Sequence, residues 1–206
     1  MIVCFEGPSA IGKTQLSKQL NKTSVIIPEV NVLFKGEEKK DTFWYYKKQI
    51  ERYQLSLESD EMSILDGDIF QPLWYNWIYC YPAEFYSKEE THAFFLKAIR
   101  ENRICFPDLY ILFETTVNKL KERKKNDLTR SRRNFEKHLK MIQPQRKYFA
   151  FLKEKTDINV EFVEYDDLES TKRRVLEIIS TNQKREINCE NNFKQITNWL
   201  DKTIVN

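Results

Sequence analysis

Apolar and polar positions alternate along the chain on two different periods. Five short runs are apolar on both faces or nearly so: Ile2–Phe5, Val25–Ile27, Ser63–Leu65, Leu109–Phe113 and Val160–Val163. The first three stop at a turn signal and the last two follow one, and runs of this kind suit strands of a parallel sheet covered on both sides. Longer stretches lie between them. In residues 42–57 apolar or aromatic side chains recur at 43, 46, 50, 53 and 57, which is the stripe of a half-buried helix. Helices are likewise expected over 13–20, 88–103, 117–125, 135–152 and 169–179, the third of these capped by Thr115-Thr116. The alternation β-α-β-α-β-α-β-α-β predicts an α/β doubly wound domain with a five-stranded parallel sheet, helices on both faces and an Arg-rich lid. The domain is expected over residues 1–180, with the lid at about 123–135. Residues 181–206 read as a C-terminal helical appendix carrying Phe193, Ile196, Trp199 and Leu200 on one face.

Composition narrows the class. With 206 residues, 41% hydrophobic and 32% charged, the chain is long enough for one well-packed core and is not of disordered composition. It has no apolar run of membrane-spanning length and no leader-like N-terminus, so a cytoplasmic location without membrane attachment is expected. Lys and Arg total 34 against 31 Asp and Glu, too balanced for a nucleic acid polymer as partner. The four cysteines, at 4, 80, 105 and 189, form no CxxC pair and read as buried, reduced thiols.

The chemistry enters at Gly7-Pro8-Ser9-Ala10-Ile11-Gly12-Lys13-Thr14, which matches G-x-x-x-x-G-K-[ST]. Glycines let the backbone wrap its N–H groups around a phosphate, and the following helix adds its N-terminal dipole. Lys13 reaches the β and γ phosphates, and Thr14 ligates Mg²⁺. An apolar strand precedes this loop and a helical stretch follows it, the context the motif requires. Such a loop is common to kinases, GTPases, ATPases and motors. A GTPase would need N-K-x-D, whereas the chain has Asn118-Lys119-Leu120-Lys121. A motor would need a second domain.

From Phe5 to Thr14 the chain resembles the opening of deoxynucleoside and thymidylate kinases, and of chloramphenicol phosphotransferase-type antibiotic kinases. The resemblance runs over about residues 1–180 as an order of elements. It implies an ATP- and Mg²⁺-dependent small-molecule kinase, and four positions carry it further. Glu29, after the second strand, stands where these enzymes place the carboxylate that deprotonates the acceptor hydroxyl. Asp66 stands where an acid before an arginine helps to hold Mg²⁺; here Gly67 replaces that arginine, which tilts the acceptor from a phosphate towards a hydroxyl. Gln49 is similar in position to a base-reading glutamine, and with Trp44, Asp68 and Trp74 it is assigned to the acceptor. Arg123 and Arg130, with Arg132 and Arg133, match the basic lid that closes over triphosphate.

The expected function is transfer of a phosphoryl group from ATP to a hydroxyl of a nucleoside or a natural-product-like small molecule. One alternative is a nucleoside monophosphate kinase, with Arg52, Lys47 and Lys48 as the phosphate clamp. Another is an ATP-binding regulatory module. The C-terminal helix could pair two copies into a homodimer.

Overall fold

The computed structural model describes residues 1–20, 24–39, 42–82, 86–127, 134–184 and 186–205. Its centre is a parallel sheet of β1 (Ile2–Glu6), β2 (Ser24–Ile27), β3 (Met62–Asp66), β4 (Leu109–Glu114) and β5 (Val160–Glu164), in the order β2-β3-β1-β4-β5. All five expected strands are present, each within one residue of its expected bounds. Strand β1 pairs with β3 on one side and β4 on the other, so the chain winds outward from it in both directions. That reversal opens a crevice at the carboxyl end of β1, where ligands bind in open α/β sheets.

Period-two alternation sends neighbouring strand residues into two separate cores. Ile2, Cys4, Leu65, Tyr110, Leu112 and Val160 face one side. There they meet α3 (Trp44–Leu57), α4 (Gln71–Ile78), α5 (Lys88–Arg100), most of α7 (Phe135–Lys155) and α9 (Cys189–Lys202). Val3, Phe5, Ile64, Ile111, Phe113 and Val163 face the other side, against α1 (Lys13–Leu20), α6 (Val117–Asn126) and α8 (Leu168–Thr181). A single turn, α2 (Val30–Leu33), follows β2. Helix α9 contributes Phe193, Ile196 and Leu200 to the first core, and Trp199 stacks on Phe151 at 4.6 Å. The C-terminal segment is thus built into the same core as α5 and α7.

The sequence pattern does not reveal α4. Pro72, Leu73, Trp74, Asn76, Trp77 and Ile78 are all buried, so no polar stripe marks its period. Most aromatic residues near it and in α3 are core packing. Phe43 stacks on Tyr86 and Phe94, Tyr46 on Phe95, and Trp77 meets Trp199. All four cysteines are free thiols; only Cys4 is buried, and Cys80 is exposed at the turn that closes α4. Among the described residues no helix is long and apolar enough to cross a membrane.

Candidate active site

The loop between β1 and α1 takes a conformation that its glycines permit. Gly7 has φ of +141°, and a Cβ there would lie 2.6 Å from the backbone oxygen of Phe113. No side chain fits such an approach. Lys13 donates from Nζ to the carbonyl of Gly7 at 2.8 Å, folding back over the loop where phosphate oxygens would compete for it. Glu6, the last residue of β1, is buried. It accepts from the amide of Gly7 at 2.8 Å and from that of Asp68 at 2.9 Å. This carboxylate ties the phosphate loop to the turn after β3. Its importance is not legible in the sequence, because the two amides it joins are 61 residues apart.

The turn after β3 supplies the second wall. Thr14 donates from its hydroxyl to Asp66 Oδ2 at 2.7 Å, and Asp66 Oδ1 is buried with no hydrogen-bond partner. Two hard oxygens, one of them an unpaired carboxylate oxygen, suit Mg²⁺. Among the described residues no three His, Cys, Asp or Glu side chains converge to hold a metal. An ion here would therefore take its other ligands from phosphates and water, as Mg²⁺ commonly does. Gly67 turns the chain with φ of +90°, and a Cβ on it would lie 3.4 Å from Glu29 Cγ. Glu29 therefore packs directly against the turn that bears Asp66. Burial raises its pKa, with Lys13 opposing and Asp66 and Glu6 reinforcing the shift.

Arg52 is the buried cation beneath this turn. Its guanidinium donates to the carbonyls of Pro28, Asp66 and Gly67 and to Gln49 Oε1, at 2.6 to 3.0 Å. It thereby clamps the ends of β2 and β3 together, and it uses Gln49 to do so. Gln49, at 1% exposure, is held in this cluster and does not line the cleft. Trp44 is likewise outside the cleft and packs with Val30 and Phe34. Asp68 is buried and accepts three bonds, from the amide of Phe70, the indole of Trp74 and the hydroxyl of Tyr110. Its three acceptor contacts are all internal, and it too lies outside the cleft. Of the four residues expected at the acceptor, Trp74 alone lines the cleft.

The cleft itself has a volume of about 980 Å³. It runs from the phosphate loop, Lys18 and Tyr165 past Glu29 to Gln71, Trp74 and Tyr75 of α4, with His138, Met141 and Gln145 of α7 opposite. Burial, followed by Lys13 and Lys137, lowers the pKa of His138. Arg123 lines the cleft but is already engaged. It donates to the carbonyls of Ile11 at 2.7 Å and Asp166 at 2.7 Å, and stands 4.7 Å over the ring of Tyr165. It fastens the phosphate loop to the segment after β5. Arg130, Arg132 and Arg133 lie outside the described residues.

Comparisons with known proteins bear on the fold. No family model matches the chain, and no curated protein matches it in sequence. Among solved structures, a deoxyadenosine kinase from M. mycoides with bound dATP superposes with a TM-score of 0.59 at 14% identity, over 88% of this chain and 100% of that one. A thymidylate kinase from Candida albicans gives 0.59 at 16%, over 87% and 91%. One from Ehrlichia chaffeensis gives 0.51 at 14%, over 87% and 98%. The chain has the fold of the P-loop nucleoside and nucleotide kinases.

Proposed function

We propose that the protein transfers the γ-phosphoryl group of ATP to a hydroxyl of a small molecule, with a nucleoside as the acceptor that best suits the cleft. The observation that carries this reading is the position of Glu29. It is a carboxylate on the wall of the phosphate-loop cleft, reachable from that cleft and packed against the turn that bears Asp66.

Each residue then has a task. The loop amides and Lys13 hold the triphosphate. Thr14 and Asp66 hold Mg²⁺, which when bound neutralises charge building on the phosphates. Glu29 accepts the proton of the attacking hydroxyl. Its raised pKa makes it a better proton acceptor than an ordinary carboxylate. Arg123 keeps the phosphate loop and the β5–α8 segment in register. Arg130 is the proposed lid residue that closes on the transferring group.

A hydroxyl acceptor is favoured over a monophosphate by the state of the cations. Arg52 is committed to four protein acceptors. Lys48 is paired with Glu37 and Glu51. Neither they nor Lys47 line the cleft. Among the described residues, the acceptor end beyond Glu29 thus has no clamp for a second phosphate.

The test is ADP release from ATP with a panel of nucleosides and their monophosphates, using the wild type and Glu29→Gln. The proposal expects turnover with a nucleoside, loss of turnover in the variant and unchanged ATP binding. Tight ATP binding without turnover on any acceptor would point instead to a regulatory module.

A further inference from the structure

The acceptor end of the cleft contains two carboxamides to which hydroxyl transfer alone assigns no task. Gln145 is on α7, one turn before Tyr148 and Phe149, which pack against Trp74. Gln71 is on α4, one turn before Trp74 itself. The ring contact between Trp74 and Phe149 therefore joins the two helices one turn away from each amide. Both glutamines line the cleft.

Their hydrogen-bonding states differ from that of Gln49. Gln145 is 5% exposed and makes no hydrogen bond with any described residue. A carboxamide offers two donors and two lone pairs, and those of Gln145 are not sealed in the core but open to the cleft, where a ligand can meet them. The neighbouring α7 positions that share its face are Met141, Tyr148 and Phe149, so an apolar residue would suit the packing. Gln71 accepts from the hydroxyl of Tyr45 through Oε1 at 2.6 Å. Burial raises the pKa of Tyr45, which keeps that hydroxyl a donor. The bond fixes the amide so that Nε2 is left to donate, and no described residue receives it.

We infer that Gln71 and Gln145, rather than Gln49, recognise the acceptor, and that they do so through the edge of a nitrogen heterocycle, as in a nucleoside. The inference rests on the hydroxyl-transfer reading. A carboxamide pairs in plane with an edge bearing a donor beside an acceptor, which is the pattern of a heterocyclic amide or amidine. Gln145 supplies both halves of that pairing and Gln71 adds one donor. Trp74 and Met141 provide flat and apolar surface beside them. This end of the cleft has no cationic side chain among the described residues, so a neutral ring suits it better than an anion.

The experiment compares wild type, Gln145→Leu, Gln145→Glu and Gln71→Leu. ADP release is measured with purine and pyrimidine nucleosides and with methyl riboside, which keeps the sugar hydroxyls and lacks the base. Calorimetric titration of the same compounds in the presence of ADP gives binding independently of turnover. The expected result is a KM and Kd for the preferred nucleoside raised about tenfold or more in Gln145→Leu, the worth of one lost hydrogen bond. The kcat and the KM for ATP should stay within about twofold, since neither glutamine is placed at the phosphates. Gln145→Glu, nearly identical in shape, should change the rank order of nucleosides and decides the matter if the leucine variant does not fold.

Nucleoside affinity unchanged in all three variants would overturn the inference, as would methyl riboside binding as well as any nucleoside. Turnover without dependence on these glutamines would leave the kinase reading standing and remove this one. Glutamine-dependent nucleoside binding without turnover would do the reverse.

Discussion

The hydroxyl of Thr14 donates to the carboxylate of Asp66 across 2.7 Å, joining the helix after the phosphate loop to the end of β3. The bond links two oxygens suited to a hard cation while leaving Asp66 Oδ1 unpaired. Replacing Asp66 with Asn keeps the shape and removes the charge. The expected outcome is a Mg²⁺ requirement shifted upward by about tenfold or more, because metal binding at such sites depends on the ligand charge. A Mg²⁺ titration of ADP release reads it, with the KM for ATP at saturating metal as control. An unchanged Mg²⁺ dependence would remove Asp66 from the metal site.

Glu29 makes a claim on rate and on pH. General-base groups contribute about 10²- to 10⁴-fold, so Glu29→Gln should lower kcat by at least about a hundredfold with ATP affinity retained. The group must be ionised to accept a proton. Its raised pKa therefore moves the acid limb of kcat/KM to higher pH than an ordinary carboxylate would give. Activity should be present above that pKa and fall as pH drops through it. A pH–rate profile whose acid limb stays at the usual carboxylate position would contradict the burial argument.

Gly67 has a structural task besides its place in the sequence pattern. Its amide donates to the carbonyl of Phe5 and its own carbonyl accepts from Arg52. Its φ is +90°, so Gly67→Ala strains the turn that bears Asp66, while the added methyl group would only touch Glu29 Cγ at 3.4 Å. The positive φ alone costs about 1–2 kcal/mol. Urea unfolding should show that loss, and kcat should fall more than the KM for ATP changes. An alanine variant of full stability and activity would show that the turn tolerates a side chain.

How much of this is legible in the sequence follows from distance along the chain. The phosphate loop is eight consecutive residues, and its geometry depends on glycines that sit inside it. The three inner strands are legible because both of their faces are buried. What cannot be read is how side chains are engaged by partners far away in sequence. Gln49 reads as facing the acceptor, but Arg52 holds it, and Arg52 is itself fixed by carbonyls at the ends of β2 and β3. Asp68 reads as a second active-site acid until Tyr110, 42 positions on, is found to donate to it. Gln145 sits in a helix whose stripe runs on into the core, so its exposure to the cleft depends on where α4 packs.

Arg123 distinguishes two tasks that one arginine could perform. Its bonds to Ile11 and Asp166 place it as a brace for the phosphate loop. Arg123→Ala should then raise the KM for ATP by about tenfold with a smaller effect on kcat, the signature of lost ground-state binding. Arg123→Lys should not restore affinity, since an ammonium lacks the fork that spans two carbonyls and the flat face that lies on Tyr165. A fall in kcat alone would instead assign Arg123 to the transferring group.

Asp68 gives a stability test that is separate from catalysis. Burial pushes its carboxyl up to about 6, against the pull of the bonds from Phe70, Tyr110 and Trp74, with the charge of Glu6 adding to the rise. The unfolded chain titrates this group near about 4. Between these values the folded state holds a proton that the unfolded state has lost, so the group's stabilising contribution is fully present below about pH 4 and is lost as pH rises towards about 6. A shift of this size corresponds to a few kcal/mol. The proton is accommodated because the Tyr110 hydroxyl can rotate from donor to acceptor. Asp68→Asn removes the titration while leaving Oδ1 to accept from Phe70 and Tyr110, though its amide then opposes the Trp74 indole. The variant should be less stable than wild type at low pH, and the difference should shrink between about pH 4 and 6.5 as the wild type loses this contribution. Urea unfolding of both proteins across that range checks it. Parallel pH profiles would mean that Asp68 stays ionised in its pocket, held there by its three donors against the cost of burial.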